Sequence, residues 1–327
     1  MKTWQRIKNN SRFLGRYLVR EKVTDEIRSF FKTQGFHEVS TPTLVPIPSI
    51  EPNLEVFKTQ LRTSKGIKRD GFLIMSPEFS IKKLLAAGIG NCFEITKCFR
   101  NEEEVSALHN PEFTMLEWYR INADYKDVMK DFEQLFTKII KKVKPEADLS
   151  KWEYQGETYD ITLPWPRIGF EEAFKKYAGK NIAEVKDEDF YQIFFNEIEP
   201  KLRESGKPAI VYDYPISQAA LARKKQSDPR FAERFEVFLA GVELGNCFSE
   251  LTDAGEQKKR FEADLAERKR LGKTIYPIDE DLIEALKEGL LPVSGIAVGV
   301  DRLIMLVADV PSIADTLFFP AGELFDL

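Results

Sequence analysis

Residues 91–120 constrain the fold of this chain more than any other stretch. NCFEITKCFR (91–100) alternates apolar and polar side chains, a polar loop follows, and FTMLEWY (113–119) alternates again. Alternation on both sides of a loop describes an antiparallel strand pair. Counting by twos puts Arg100 and Glu102 on one face of the first strand, and Phe113, Glu117 and Tyr119 on one face of the second. A sheet face turned into a core carries aliphatic residues. This one offers a guanidinium, two carboxylates, a phenol and a ring, with His109 and Asn110 in the loop between. Two readings stay open. The face is a salt-bridged sheet surface, or it is a nucleotide site in which Arg100 meets a phosphate, Glu102 an amino group, and Phe113 stacks on the base.

The remaining elements extend this pattern. AIVYDYP (209–215), RFEVFLAGVEL (234–244), GNCFSEL (245–251) and GIAVG (295–299) read as strands, as does FHEVSTPTLVP (36–46) up to its prolines. Helices are predicted over 23–35, where Val23, Ile27, Phe30 and Phe31 recur at helical spacing and Gly35 ends the run. Others are predicted over 76–88 behind Ser76, over 125–143 and 256–271, and from Val300 onward. Residues 145–205 are richer in Lys, Glu and Pro and are expected to form a mostly helical insertion within one domain spanning 1–327. Strands grouped in hairpins rather than βαβ units make the chain α+β, a mostly antiparallel sheet flanked by helices. It has no GxGxxG and no GxxxxGK[ST] run, so a bound nucleotide would be held by neither common phosphate loop.

Two further segments offer chemistry. Glu236 and Glu243 flank the Ala240–Gly241 pair, and two acidic side chains beside a nucleotide suit Mg²⁺, a hard cation that prefers oxygen ligands. Asn246, Phe248 and Glu250 share a face that Glu243 misses by parity, so a bulge or turn near Gly245 is needed to bring both sets into one site. An ordinary hairpin with exposed acids is the alternative. In SGIAVGVDRLIML (294–306), Gly295 and Gly299 leave room for a ligand to approach the backbone. Arg302, one turn on, could meet a phosphate or a purine, or simply pair near Asp301.

The 327 residues carry 48 Lys and Arg against 53 Asp and Glu, and the net charge of −5 argues against bulk attraction to nucleic acid. The exception is the N-terminal stretch, where Lys2, Arg6, Lys8, Arg12, Arg16, Arg20 and Lys22 oppose only Glu21. It reads as a solvated helical face or as a docking arm for an acidic partner. Cys92, Cys98 and Cys247 sit among apolar residues without metal spacing, which fits a reducing compartment. With no secretory leader and no bilayer-length apolar run, the expectation is a cytoplasmic protein without a membrane partner.

Taken together the segments resemble class II aminoacyl-tRNA synthetases of the lysyl branch. FRNE followed by HNPEFTMLEWY looks like motif 2, and GVDRL in its glycine-rich setting looks like motif 3. The helix at 23–35 leading to Pro42 resembles motif 1, the dimer-forming element. SPE at 76–78 and ELGNCFSELTDAGEQ at 243–257 are similar to the lysyl branch. Within it, the chain looks most like the truncated paralogues that join (R)-β-lysine to elongation factor P. A motif 1 helix beginning near residue 23 leaves no room for the anticodon-binding OB-fold.

The resemblance implies ATP binding at Arg100, Glu102, His109, Asn110, Phe113, Glu243, Leu244, Gly299 and Arg302, with Arg100 and Arg302 as the catalytic pair. It implies Mg²⁺ on Glu236 and Glu243. It places a pocket for (R)-β-lysine or lysine at Ser76, Glu78, Glu117, Tyr119, Asn246, Phe248 and Glu250, with Ala297 standing where full lysyl enzymes resemble GLGIG. It further implies a homodimer and elongation factor P rather than tRNA as acceptor. Charging of tRNA or of a small amine, and a non-catalytic regulatory role, remain the other readings.

Overall fold

The computed structural model describes residues 2–327, with the side chains of Ser11 and Arg12 outside the description. Its centre is an eight-stranded sheet. In chain order the strands are β1 (His37–Glu38), β2 (Cys92–Phe99), β3 (Glu112–Ile121), β4 (Arg167–Gly169), β5 (Ala209–Pro215), β6 (Phe231–Leu239), β7 (Val242–Ser249) and β8 (Val293–Gly299). Across the sheet they run β1-β2-β3-β8-β7-β6-β5-β4. Only the two edge pairs, β1 with β2 and β5 with β4, are parallel. A three-stranded sheet (Leu44–Val45, Lys58–Arg62, Lys68–Leu73) and a two-stranded ribbon (Trp152–Tyr154, Glu157–Tyr159) complete the strands of the described residues.

Helices flank the large sheet. These are α1 (Thr3–Asn9), α2 (Ser11–Thr33), α3 (Glu78–Ala86), α4 (Tyr125–Val143), α5 (Ala254–Arg270), α6 (Glu280–Glu288) and α7 (Val300–Val307), with shorter helical turns between them. Helices α2, α4 and α7 close one face, and α3 packs on Cys92 and Tyr119 of the other. Val23, Ile27, Phe30 and Phe31 of α2 and Val128, Phe132, Leu135, Phe136 and Ile139 of α4 fall on helical stripes that pack with Leu116 and Trp118 of β3. Asp124 starts α4 by accepting from the backbone N–H of Lys126 and Asp127. With Leu116 and Trp118 turned into this core, the alternation of β3 sends Phe113, Met115, Glu117 and Tyr119 to the other face. That face is where the cavity forms.

The structure departs from the sequence reading in three places. First, strand 234–244 is broken. Ala240 and Gly241 adopt φ of +54° and +76°, the two left-handed residues of a tight hairpin turn, so the segment is the β6/β7 hairpin. Second, residues 145–205 carry strands as well as helical turns, the latter at Leu149–Lys151 and from Phe170 onward. Their first part is the two-stranded ribbon, whose Trp152, Tyr154 and Tyr159 join the main core, and β4, which extends the sheet. Apolar residues too sparse for a helical stripe are buried here by the ribbon's packing on the core and by the pairing of β4 with the sheet edge. Third, the basic N-terminal stretch is not a free arm. Lys2 donates to the Glu323 carbonyl at 2.6 Å, Arg6 lies 3.6 Å from the Glu323 carboxylate, and Arg20 pairs with the buried Asp301. Arg12 belongs to the side chains outside the description.

The expected irregularity near Gly245 is present. Val237 pairs with Gly245 but Phe238 pairs with Glu243, so Leu244 is one residue too many on β7. That bulge brings Glu243 to the same side as Asn246 and Phe248.

Candidate active site

A cavity of about 250 Å³ opens over the central strands. Its walls include Ser76, Glu78, Arg100, His109, Asn110, Phe113 and Glu117 from the first half of the chain. From the second half come Glu243, Leu244, Asn246, Phe248, Ala297, Gly299 and Arg302. Four expected site residues stay outside the walls. Tyr119 and Glu250 form a layer behind them, Glu236 lies under the neighbouring hairpin, and Glu102 is in solvent.

The cationic end is built from strand ends. Arg100 follows the last residue of β2, stacks its guanidinium 5.1 Å from the Phe113 ring centroid, and lies 3.8 Å from Glu103. Arg302, in the first turn of α7, donates to the carbonyls of Glu243 (3.0 Å) and Leu108 (3.2 Å) and meets His109 Nε2 at 2.8 Å. An arginine can only donate, so Nε2 accepts, and the ring proton sits on Nδ1, facing Ser106 Oγ at 3.1 Å. Burial and the Arg302 charge both lower the His109 pKa, which agrees with a neutral ring. Arg302 does not pair with Asp301, which instead accepts from the Thr114 N–H at 2.6 Å and from Arg20.

Three expectations at this end change. Strand β2 ends at Phe99, and Glu102 has a left-handed backbone (φ +57°) that turns the chain. Counting by twos therefore fails beyond Phe99: Glu102 points outward to Lys273 at 3.0 Å and Glu103 lines the cavity. Asn110 lines it too, but its amide is spent, accepting from the Ala321 N–H (2.9 Å) and donating to the Glu112 carbonyl (2.6 Å). Gly295 leaves space for a side chain rather than a ligand, since a Cβ there would sit 2.3 Å from the Tyr119 ring.

The acidic end is buried and tightly bonded. Ser76 Oγ donates to one oxygen of Glu117 at 2.5 Å, and Tyr119 OH donates to the other at 2.9 Å. Burial, then the nearby Glu78 charge, raises the Glu117 carboxyl to about 8. Behind the wall, Lys82 is 2% exposed and sits between Glu78 and Glu250, 2.7 Å from the latter. Burial works against its charge, but the two carboxylates hold the proton on it.

Glu236 donates nothing to the cavity. Tyr214 OH reaches one of its oxygens at 2.7 Å and Arg234 the other, and burial raises its pKa with the Glu243 charge adding to the rise. Arg234 also donates to Asn246 Oδ1 at 3.1 Å and so links the acid to the cavity wall. Among the described residues no three acid, His or Cys side chains gather closely enough to hold a metal unaided. Glu243 and Glu236 thus fit a hard dication only with phosphate oxygens completing its shell.

Lys82, Arg234 and Glu51, which also lines the cavity, were not singled out from the sequence. Lys82 stands one helical turn after Glu78, and Arg234 two residues before Glu236 on one strand face, so both carried a readable spacing. Glu51 lies in a proline-flanked loop and carried none.

Residues 4–323 match the family model described as tRNA synthetases class II (D, K and N). The chain belongs to this class II tRNA synthetase family. As a class II synthetase-family protein it is an ATP-dependent ligase with an α+β core. It is 41% identical to the elongation factor P–(R)-β-lysine ligase of Yersinia enterocolitica, over 94% of this chain and 95% of that one. The elongation factor P–(R)-β-lysine ligase of Vibrio atlanticus is 39% identical over 92% and 94% of the two chains. The lysine–tRNA ligase of Moorella thermoacetica is 36% identical over 93% of this chain, which spans only 64% of that relative.

Proposed function

We propose that this protein activates (R)-β-lysine, or lysine, as its adenylate and transfers the aminoacyl group to a lysine side chain of elongation factor P. The observation that carries the reading is the likeness to the β-lysine ligases, 39% and 41% identical over 92% and 94% of this chain. The cavity supports it: arginines at one end, an acid-rich pocket suited to a diamino acid at the other.

In the proposed reaction the substrate carboxylate attacks the α-phosphorus of ATP and pyrophosphate leaves. Arg100 holds the carboxylate beside the α-phosphate, Phe113 packs on the nucleotide, and Arg302 leaves its carbonyl partners for the phosphates. Glu243, backed by Glu236, would hold Mg²⁺, which would supply neutralisation of the triphosphate charge. The pocket of Ser76, Glu78, Glu117, Asn246 and Phe248, with Tyr119 and Glu250 behind it, receives the ammonium groups. The acceptor amine then attacks the acyl carbon, AMP leaves, and the amine loses a proton.

The protein acts as a homodimer in this reading. Leu14 and Leu18 of α2 and Phe318, stacked on Tyr17, are apolar and 39%, 47% and 53% exposed, a surface a second copy would cover. Its three free, buried cysteines suit the cytoplasm, and no helix of the described residues is long and apolar enough to cross a membrane.

The test offers elongation factor P and total tRNA separately to the protein with ATP, Mg²⁺ and either amino acid. An added aminoacyl mass on the factor, read by intact-protein mass spectrometry, is the expected result. Charged tRNA on an acid gel with an unmodified factor would replace the acceptor while leaving the adenylate chemistry intact.

A further inference from the structure

Six acidic side chains line the cavity, and five are already engaged. Glu78 pairs with Lys82, and Glu103 faces Arg100. Glu117 accepts from two hydroxyls, Glu243 lies 3.9 Å from Arg302, and Asp301 is bonded to Thr114 and Arg20. Glu51 is the exception. Among the described residues its carboxylate has neither a hydrogen bond nor an ion pair, although it faces the same cavity.

The backbone that presents Glu51 is fixed from behind. Arg268, wholly buried, donates to the carbonyls of Glu51 and Leu54 at 2.5 Å each, and Tyr276 OH donates to the carbonyl of Ser49 at 2.8 Å. Ile50 beside it is 1% exposed and packs in the cluster formed with α5 and α6. A surface loop with a solvated glutamate needs no such anchoring. Holding three carbonyls with buried donors keeps one carboxylate aimed into the cavity, an arrangement that costs nothing further when a ligand arrives.

The position along the cavity follows from the backbone. The loop that carries Glu51 runs beside the segment that carries Arg100, where the Asn101 N–H donates to the Glu55 carbonyl at 2.9 Å. Glu117, on β3, is bonded to Ser76 and Tyr119 at the deep end. Glu51 is therefore on the Arg100 side, where the proposed reaction activates the substrate carboxylate. Burial, then the Glu78 charge, raises its carboxyl to about 7.

We infer that Glu51 is a substrate-binding residue that takes the ammonium group nearest the reacting carboxylate, while Glu117 and the charges behind it take the far one. The inference rests on the amino-acid reading above. It divides recognition of a diamino acid between two acidic subsites of one cavity. An arriving ammonium supplies the counter-charge that Glu51 lacks.

The test uses amino-acid-dependent ATP–pyrophosphate exchange by the full chain, with lysine, (R)-β-lysine and 6-aminohexanoate. The last keeps the far amine and lacks the near one. Glu51→Gln should raise KM for the two diamino acids about ten- to a hundredfold, the range a charge-assisted hydrogen bond supplies, with kcat little changed. The affinity of 6-aminohexanoate, as substrate or as competitive inhibitor, should not weaken. If Glu51→Gln does not fold, Glu51→Asp, which keeps the charge but withdraws it by one methylene, should give the same differential at smaller size. Unchanged KM values, or an equal loss for all three compounds, would overturn the assignment and leave the ligase reading standing. An unaltered protein that exchanges with none of them would overturn both.

Discussion

At the end of the cavity proposed for the nucleotide the Arg100 and Arg302 side chains are 28% and 20% exposed and rest on carbonyls, an imidazole, the Phe113 ring and partly exposed acids. At the amino-acid end Glu117, Glu250 and Lys82 are 1%, 2% and 2% exposed and bind chiefly to one another or to hydroxyls. The first end can exchange its contacts for a triphosphate at small cost, because water and mobile side chains compensate. The second cannot. Its charges are set when the chain folds, and only a ligand of the right charge completes them. One end is thus built to be displaced and the other to be matched.

Removing a cation from each end should break the comparison if it is wrong. Lys82→Met leaves Glu78 and Glu250 buried without their counter-charge, and the expected loss is about 3–5 kcal/mol of folding stability. Arg302→Met, at the half-exposed end, should cost about 1 kcal/mol or less. Denaturant unfolding of both variants measures this directly, and equal losses would remove the distinction. Function should rank the other way. Arg100→Ala is expected to keep its fold yet lower pyrophosphate exchange by about 10²–10³, the effect of deleting one preorganised donor to a developing charge. Near-normal exchange in that variant would mean that Arg100 does not touch the reacting groups.

The same contrast governs what could be read from the sequence. The nucleotide end is local: FRNE, HNPEF and GVDRL are short runs on strand ends and a helix start, so Arg100, His109, Phe113 and Arg302 were found together. Where counting by twos was carried past the end of β2, it chose Glu102 and missed Glu103. The bulge at Leu244 was legible because parity alone demanded it, whereas the Ala240–Gly241 turn was missed because alanine rarely adopts φ of +54°. The buried end depends on approaches across the fold. Nothing near Lys82 in sequence announces Glu250, and nothing around Glu51 announces Arg268. The strands within 145–205 were illegible for a related reason: the ribbon is stabilised by the aromatic residues it sends into the main core and β4 by the sheet edge it joins, not by their own pattern.

Ala297 sharpens the comparison at the point where the ends meet. It stands opposite Asn246 on one side and Glu117 on the other in strand register, and its methyl lines the cavity. Ala297→Gly removes about one methyl of wall, a change on the order of 1–3 kcal/mol in discrimination between two substrates. The specificity-constant ratio of lysine over (R)-β-lysine is expected to rise, with ATP affinity unaltered. A ratio that stays put would reduce Ala297 to a packing residue.

The smallest expected effect is a pH dependence carried by the buried carboxyls of the amino-acid site. Glu117 is raised to about 8 and Glu51 to about 7, in both cases by burial first and Glu78 second. A carboxyl whose folded pKa exceeds its unfolded value near 4.5 binds its proton more tightly in the native state. It therefore contributes stability below about 4.5 that is lost as pH rises through the folded pKa. Carboxyls held low, such as Glu38, Glu55 and Glu323, act in the opposite sense and below this window. Between pH 6 and 9 the melting temperature of the ligand-free protein should fall by a few degrees, on the order of what one or two kcal/mol supplies to a chain of this size. Glu117→Gln should flatten part of that slope. Saturating lysine should flatten it as well, because a bound ammonium favours the ionised carboxyls and cancels their reason to hold protons. Among the groups proposed to meet the phosphates, burial and the Arg302 charge lower the His109 pKa rather than raise it, so ATP alone should raise the melting temperature without changing the slope. A slope that ATP removes and lysine leaves untouched would reverse the roles assigned to the two ends.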